Sequence, residues 1–161
     1  MIKYLVCVLA MAAALPARGD QWALGAGYAD FSDPKTQDAG LLSLEYHSIG
    51  LIGDKRLRLG WASALTVFDE GDVHLGIGAV GYVSLGAGWF SEISLMPGVY
   101  KDWGGSDLGS EFQVRSLIAV GKRFKNGQAV SLALTHKSNA STAARNPGVN
   151  SLLLRWHIAF D

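Results

Sequence analysis

A histidine, a serine and two asparagines cluster towards the C-terminal end of the chain, as His136-Lys137-Ser138-Asn139 and, across a polar loop, Asn150. A serine hydroxyl attacks an ester only when a base takes its proton. His136 is such a base, two positions away. Asn150 could hold the imidazole in the tautomer whose other nitrogen accepts the Ser138 proton. Asn139, or a backbone N–H beside Ser138, could stabilise the oxyanion that attack creates. The chemistry such a set would perform is acyl-ester hydrolysis. In most strands a His near a Ser is incidental, so the surface that carries the pair decides its meaning.

That surface is apolar. Residues 130–138 alternate with the two-residue period of a strand, so Val130, Leu132, Leu134, His136 and Ser138 share one face. Residues 150–160 do the same, with Asn150, Leu152, Leu154, Trp156, Ile158 and Phe160 on one face. The polar residues therefore interrupt rows of large apolar side chains near the loop that joins the two strands. If the apolar side meets lipid, they sit on the outside of the protein at the edge of a membrane, where the substrate is the membrane itself.

Six more strands precede this pair. They are expected over 21–31, 39–49, 56–68, 73–82, 88–100 and 110–122, each with one apolar and one small or polar face. Trp22, Leu24, Ala26 and Tyr28 oppose Ala23, Gly25, Gly27 and Ala29 in the first; Leu57, Leu59, Trp61, Leu65 and Val67 oppose Arg58, Gly60, Ala62, Ala64 and Thr66 in the third. Polar or Gly-rich stretches separate them at 32–38, 50–55, 68–72, 84–86, 101–109, 122–127 and 139–149.

The sequence has 161 residues, room for one domain. Residues 1–19 have a lysine near the tip, a short apolar run and small residues at Ala17 and Gly19, the pattern of a secretory signal cut before Asp20. The apolar run falls short of the roughly 20 residues a spanning helix needs. Cys7, the sole cysteine, leaves with this leader, so residues 20–161 can form neither a disulfide nor a Cys-ligated metal site. Lys3 and Arg18 leave too, which turns an even balance of 14 basic and 14 acidic residues slightly acidic. No basic excess remains to attract nucleic acid.

Alternating strands, abundant glycine and scattered Trp and Tyr in an exported chain without spanning helices point to an all-β, eight-stranded antiparallel transmembrane β-barrel. Such a barrel pairs every backbone group strand to strand and leaves no edge. A soluble sandwich or lipocalin-like barrel would crowd up to five tryptophans into one small core. An eight-stranded barrel is narrow and filled by side chains. The charges read as inward, Glu45, Arg58, Glu92, Glu111 and Arg115, must then pair with one another or with trapped water. Outer-membrane barrels have short periplasmic turns and longer outer loops. The loops at 32–38, 68–72, 101–109 and 139–149 then lie outside, and His136, Ser138 and Asn150 lie at the outer leaflet.

The segment His136-Lys137-Ser138-Asn139-Ala140, its Pro/Asn/Gly-containing loop and the alternating final strand resemble the C-terminal segment of the lipid A 3-O-deacylase (PagL) family. Size, leader and strand count agree along the whole chain. The resemblance implies an eight-stranded outer-membrane barrel that hydrolyses the 3-O-linked ester of lipid A in lipopolysaccharide. It implies Ser138 as nucleophile, His136 as base and Asn139 as an oxyanion contributor. Twelve residues after the serine, where the family pattern has a Glu, this chain has Asn150. An amide can orient a histidine but cannot offset the imidazolium charge. The comparable acid-to-amide change in a Ser-His-Asp enzyme costs about 10⁴ in rate.

Other signals carry less. Gly76-Ile-Gly78-Ala-Val-Gly81 matches a dinucleotide fingerprint but lacks the helix that would follow it. His47, His74 and His157 read as interior hydrogen-bonders rather than metal ligands. Trp61, Trp89 and Trp156 read as lipid-facing anchors, and Phe160 resembles the terminal aromatic of bacterial barrels. No cofactor is implied. The partners implied are lipid A and the outer membrane, with a second copy of the chain as a candidate. Two functions remain open: a lipid A esterase, or a weak or inactive barrel of the same fold that binds lipid or braces the membrane.

Overall fold

The computed structural model describes residues 20–31 and 38–159. The expected leader at 1–19 and the terminal aromatic Phe160 lie outside the described residues. Eight antiparallel strands close into one barrel in chain order: β1 (Gln21–Phe31), β2 (Ala39–Gly53), β3 (Leu57–Phe68), β4 (Val73–Gly86), β5 (Trp89–Lys101), β6 (Phe112–Arg123), β7 (Ala129–Ser138) and β8 (Val149–Ala159). Closure comes from β1 and β8, which pair from Gln21↔Ala159 to Phe31↔Val149.

Alternation decides what faces where. Along β8, Leu154 is 65% exposed on the outer face while its neighbour Arg155 is 1% exposed inside. Trp89 and Trp156 also lie exposed on the outer face. The outward Tyr46 is covered by flanking rings, Trp22 with centroids 5.2 Å away and Trp61 at 5.3 Å. Aromatic clustering of this kind suits a membrane interface.

Two expected strand ends move. β2 runs past Ile49 because a bulge between Ile49 and Ile52 absorbs the glycine and lets pairing with β3 resume. β4 runs past Tyr82 because Val83 and Ser84 still find partners in β5. One side-chain assignment is corrected. Glu111 does not point inward; it precedes β6, lies exposed and meets Lys101 Nζ at 2.6 Å.

The interior is filled, as a narrow barrel requires. Arg115 grips Glu45 through both terminal nitrogens, at 3.1 and 2.8 Å, and Arg155 grips Glu92 at 3.0 and 2.6 Å. His47 Nε2 lies 3.0 Å from Glu45, and Ser131 Oγ lies 2.8 Å from His157 Nε2. Buried charges survive in a core only when paired and hydrogen-bonded like this. His74, by contrast, has no hydrogen bond at either ring nitrogen among the described residues. Gly76 and Gly78 sit within β4, and a Cβ on Gly78 would lie 2.0 Å from the Leu95 carbonyl oxygen. The glycine pattern is therefore a matter of strand packing, not of a nucleotide loop.

The connections 54–56, 87–88 and 124–128 are short, whereas 102–111 and 139–148 are long. The long loops accordingly mark the outer end. They brace each other there. Buried Asp72 accepts the N–H groups of Trp103, Gly105 and Ser106 and the Tyr100 hydroxyl, which folds 102–111 over the barrel mouth. Arg145 then pairs with Asp107 at 2.8 Å, tying 139–148 to it.

Candidate active site

β7 and β8 carry the candidate residues. His136 and Asn150 are direct register partners across that ladder, both on the outer face. His136 Nδ1 lies 2.9 Å from Asn150 Oδ1. An amide oxygen can only accept, so this contact places the ring proton on Nδ1 and leaves a lone pair on Nε2. That is the tautomer a general base needs.

Gly148 makes room for the ring. Its φ is +71°, and a Cβ built there would come within 3.2 Å of His136 Cε1. A side chain at this position would strain the backbone and crowd the imidazole.

Ser138 occupies the next outward position on β7, half-buried at the strand's end. Its hydroxyl has no hydrogen-bond partner among the described residues, His136 included. Positions two apart on a strand are separated by roughly 6.5–7 Å. Contact between them therefore requires the serine and imidazole to turn toward each other.

Asn139 goes elsewhere. It is fully buried, and its amide nitrogen donates to the carbonyls of Leu108, at 3.3 Å, and Arg145, at 2.6 Å. Its own N–H donates to Asn146 Oδ1 at 3.0 Å, and its carbonyl accepts Thr142 N–H and hydroxyl. The amide nitrogen is thus spent on the loop, while Oδ1 meets no hydrogen-bond partner among the described residues. The turn it closes has Ala140 and Ser141 at φ +53° and +60°. Two successive left-handed non-glycine residues are strained, at roughly 1–2 kcal/mol each. Among the described residues nothing accepts the N–H of either, two and three positions after the serine.

Below His136 the outer surface is hollowed into an open groove of about 460 Å³, lined by Ser116, Ile118, Leu134, Thr135, His136 and Asn150. Ser116 joins the site only in the structure. It is the register partner of His136 on β6, and its hydroxyl reaches the His136 carbonyl at 3.4 Å. The available signal was a serine interrupting the outward row Phe112, Val114, Ile118 and Val120. Asn146 and Gly148 were read only as loop. Their roles depend on a loop conformation that strand periodicity does not encode.

One set of metal-ligand types comes together among the described residues. Ligand atoms of Glu45, His47 and Glu92 lie within 4.8 Å of one another in the core. Both carboxylates are already held by guanidinium groups, so Arg115 and Arg155 supply the positive charge that a cation would bring.

Comparison with known proteins agrees with this architecture. Residues 19–159 match a family model described as lipid A 3-O-deacylase (PagL). Among solved structures, the crystal structure of the outer membrane enzyme PagL superposes with a TM-score of 0.69 at 20% identity, covering 87% of this chain and 99% of that one. A de novo designed transmembrane β-barrel gives 0.57 at 8% identity, covering 89% and 98%. Neisserial surface protein A gives 0.56 at 12% identity, covering 88% and 96%. No curated protein sequence matches the chain significantly.

Proposed function

Because this chain belongs to the lipid A 3-O-deacylase (PagL) family and is an outer-membrane β-barrel, we propose that it hydrolyses the 3-O-linked acyl ester of lipid A from the outer leaflet, using Ser138, His136 and Asn150. The observation that carries this reading is the 2.9 Å contact from His136 Nδ1 to Asn150 Oδ1 on the lipid-facing wall, directly above an apolar groove.

The steps follow from the groups present. His136 Nε2 takes the Ser138 proton as Oγ attacks the ester carbonyl carbon. The tetrahedral oxyanion is met by the backbone N–H groups of Ala140 and Ser141. Asn139 contributes by holding their turn, since its own amide is occupied. Collapse of the intermediate breaks the ester C–O bond. The sugar hydroxyl leaves with the proton from Nε2, and the acyl group stays on Ser138. Water, deprotonated by His136, then attacks the acyl-serine, releases a fatty acid and restores the hydroxyl. No metal or cofactor enters these steps. Residues 1–19 would act as the export signal, leaving 20–161 as the barrel.

Asn150 and the unpartnered Ser138 favour a second reading, a barrel of the same family with feeble hydrolysis and a lipid-binding role. Mass spectrometry of lipid A from cells expressing the protein separates the two. Loss of a 3-O-acyl chain with wild-type protein, and its retention with Ser138→Ala, is the expected result. Identical profiles in both would end the hydrolytic reading.

A further inference from the structure

The two ends of the barrel differ in charge. Around the short-turn end gather Lys55, Arg56, Arg58, Lys122, Arg123 and Lys125, against Asp20 and Asp54. Both acids are engaged locally. Asp54 caps its own turn by accepting the N–H groups of Arg56 and Leu57, and Asp20 accepts the Tyr46 hydroxyl.

Three of these cations converge on one cavity. A pocket of about 160 Å³ opens at this mouth, lined by Lys55, Arg58, Arg123, Ser84, Trp89 and Phe90, with no acidic residue in its wall. Arg123 donates to the Gly127 carbonyl at 2.8 Å and to Gln21 Oε1 at 3.0 Å, both neutral acceptors, and no carboxylate offsets its charge among the described residues. Lys55 and Arg58 meet no carboxylate among the described residues. A low-dielectric wall of Tyr82 and Phe90 behind them strengthens their joint field. Such a concentration of like charge is costly unless an anion shares it.

We propose that this periplasmic mouth pocket binds a phosphate oxyanion, held by Arg58, Arg123 and Lys55 with the Ser84 hydroxyl as a further donor. Guanidinium groups suit it because their paired N–H donors match adjacent phosphate oxygens. A membrane phospholipid can supply the anion. Trp89 bridges the pocket to the lipid-facing wall and is half exposed, with Leu85 and Leu57 exposed beside it, so a headgroup can enter while its chains remain on the barrel's flank. Free phosphate in the periplasm is the other source of the same chemistry. The site is separate from the ester chemistry, which lies at the opposite end.

The test uses the folded barrel in maltoside micelles, which carry no phosphate. Short-chain phosphatidylglycerol and inorganic phosphate are titrated separately while the amide resonances of Ser84 and Gly88 are followed. The expected result is a saturable shift with the lipid, displaced by inorganic phosphate, and weakened roughly tenfold or more in an R58Q/R123Q variant. Saturation by inorganic phosphate with no response to the lipid identifies the free anion as the occupant. Absence of a saturable shift with either probe, or the same shift from an uncharged short-chain diacylglycerol, overturns the site. Heat-modifiable migration in gels shows that the variant is still a barrel, so its loss of binding reads on the pocket.

Discussion

His136 and Asn150 face each other across the β7–β8 ladder with Nδ1 and Oδ1 2.9 Å apart. The amide fixes the tautomer but adds no negative charge to oppose the imidazolium that the proposed attack by Ser138 would form. Asn150→Glu keeps the position and supplies that charge. Its deacylation rate should rise, with about 10⁴ as the upper bound set by the analogous change in a Ser-His-Asp triad. Asn150→Leu should lower it, because nothing then orients the ring. Lipid A mass spectra over a time course read both rates, and a Glu variant slower than wild type would sink the assigned role.

Gly148 offers a second handle on the same ring. Alanine there puts a Cβ a few tenths of an ångström too near His136 Cε1 and forces a left-handed backbone on a residue that resists it. Gly148→Asn tolerates the backbone better but keeps the Cβ. Both variants should lose hydrolysis, while only the alanine loses about 1 kcal/mol more in unfolding. Full activity in either would show that the ring does not need the space.

Asn139 separates two kinds of contribution. If its amide serves the loop, Asn139→Ala strands the carbonyls of Leu108 and Arg145 and should cost about 1–3 kcal/mol. The loop at 139–148 should also become easier to cleave with protease, and hydrolysis should fall with it. A variant that keeps its unfolding midpoint and protease resistance but loses turnover would return the side chain to direct oxyanion contact.

The core ion pairs give the largest expected stability change. Arg155→Met leaves Glu92 fully buried without its guanidinium partner and should cost about 3–5 kcal/mol. Adding Glu92→Gln removes the stranded charge and should recover part of that loss. Urea unfolding of the barrel in vesicles measures both. Equal midpoints for the single and double variants would mean that Glu92 finds another partner.

The barrel was legible because closure needs only a two-residue period, which runs through all eight strands from Gln21 to Ala159 with breaks only at the irregularities after Ile49 and Ser84. The sidedness of His136, Ser138 and Asn150 followed from the same period. Strand ends were less legible: the bulge after Ile49 and the extra pairs beyond Tyr82 depend on the neighbouring strand, not on local composition. Glu111 was misplaced because alternation was extended one step beyond the strand that carries it. Asn139 shares its neighbourhood with Ser138 in sequence, yet the chain turns inward at that residue. Only the meeting of two loops, through Leu108 and Arg145, shows what its amide does.

The turn at 54–56 yields a pH test on the periplasmic side. The Asp54 carboxylate accepts N–H groups from Leu57 at 2.9 Å and Arg56 at 2.6 Å, and these bonds, that from Leu57 foremost, hold its carboxyl below the usual aspartate range. A carboxyl lowered on folding contributes stability above its unfolded value, and the contribution fades as pH falls through the folded one. Capping of this turn should therefore persist below the pH at which an ordinary aspartate gains its proton, then fail. The amide proton shifts of Arg56 and Leu57, followed from neutral into strong acid, should share one inflection below that of an aspartate in a short peptide. Asn at position 54 should abolish the inflection while leaving the barrel folded. Inflections at or above the peptide value would show that the two backbone bonds do not favour the charged carboxylate.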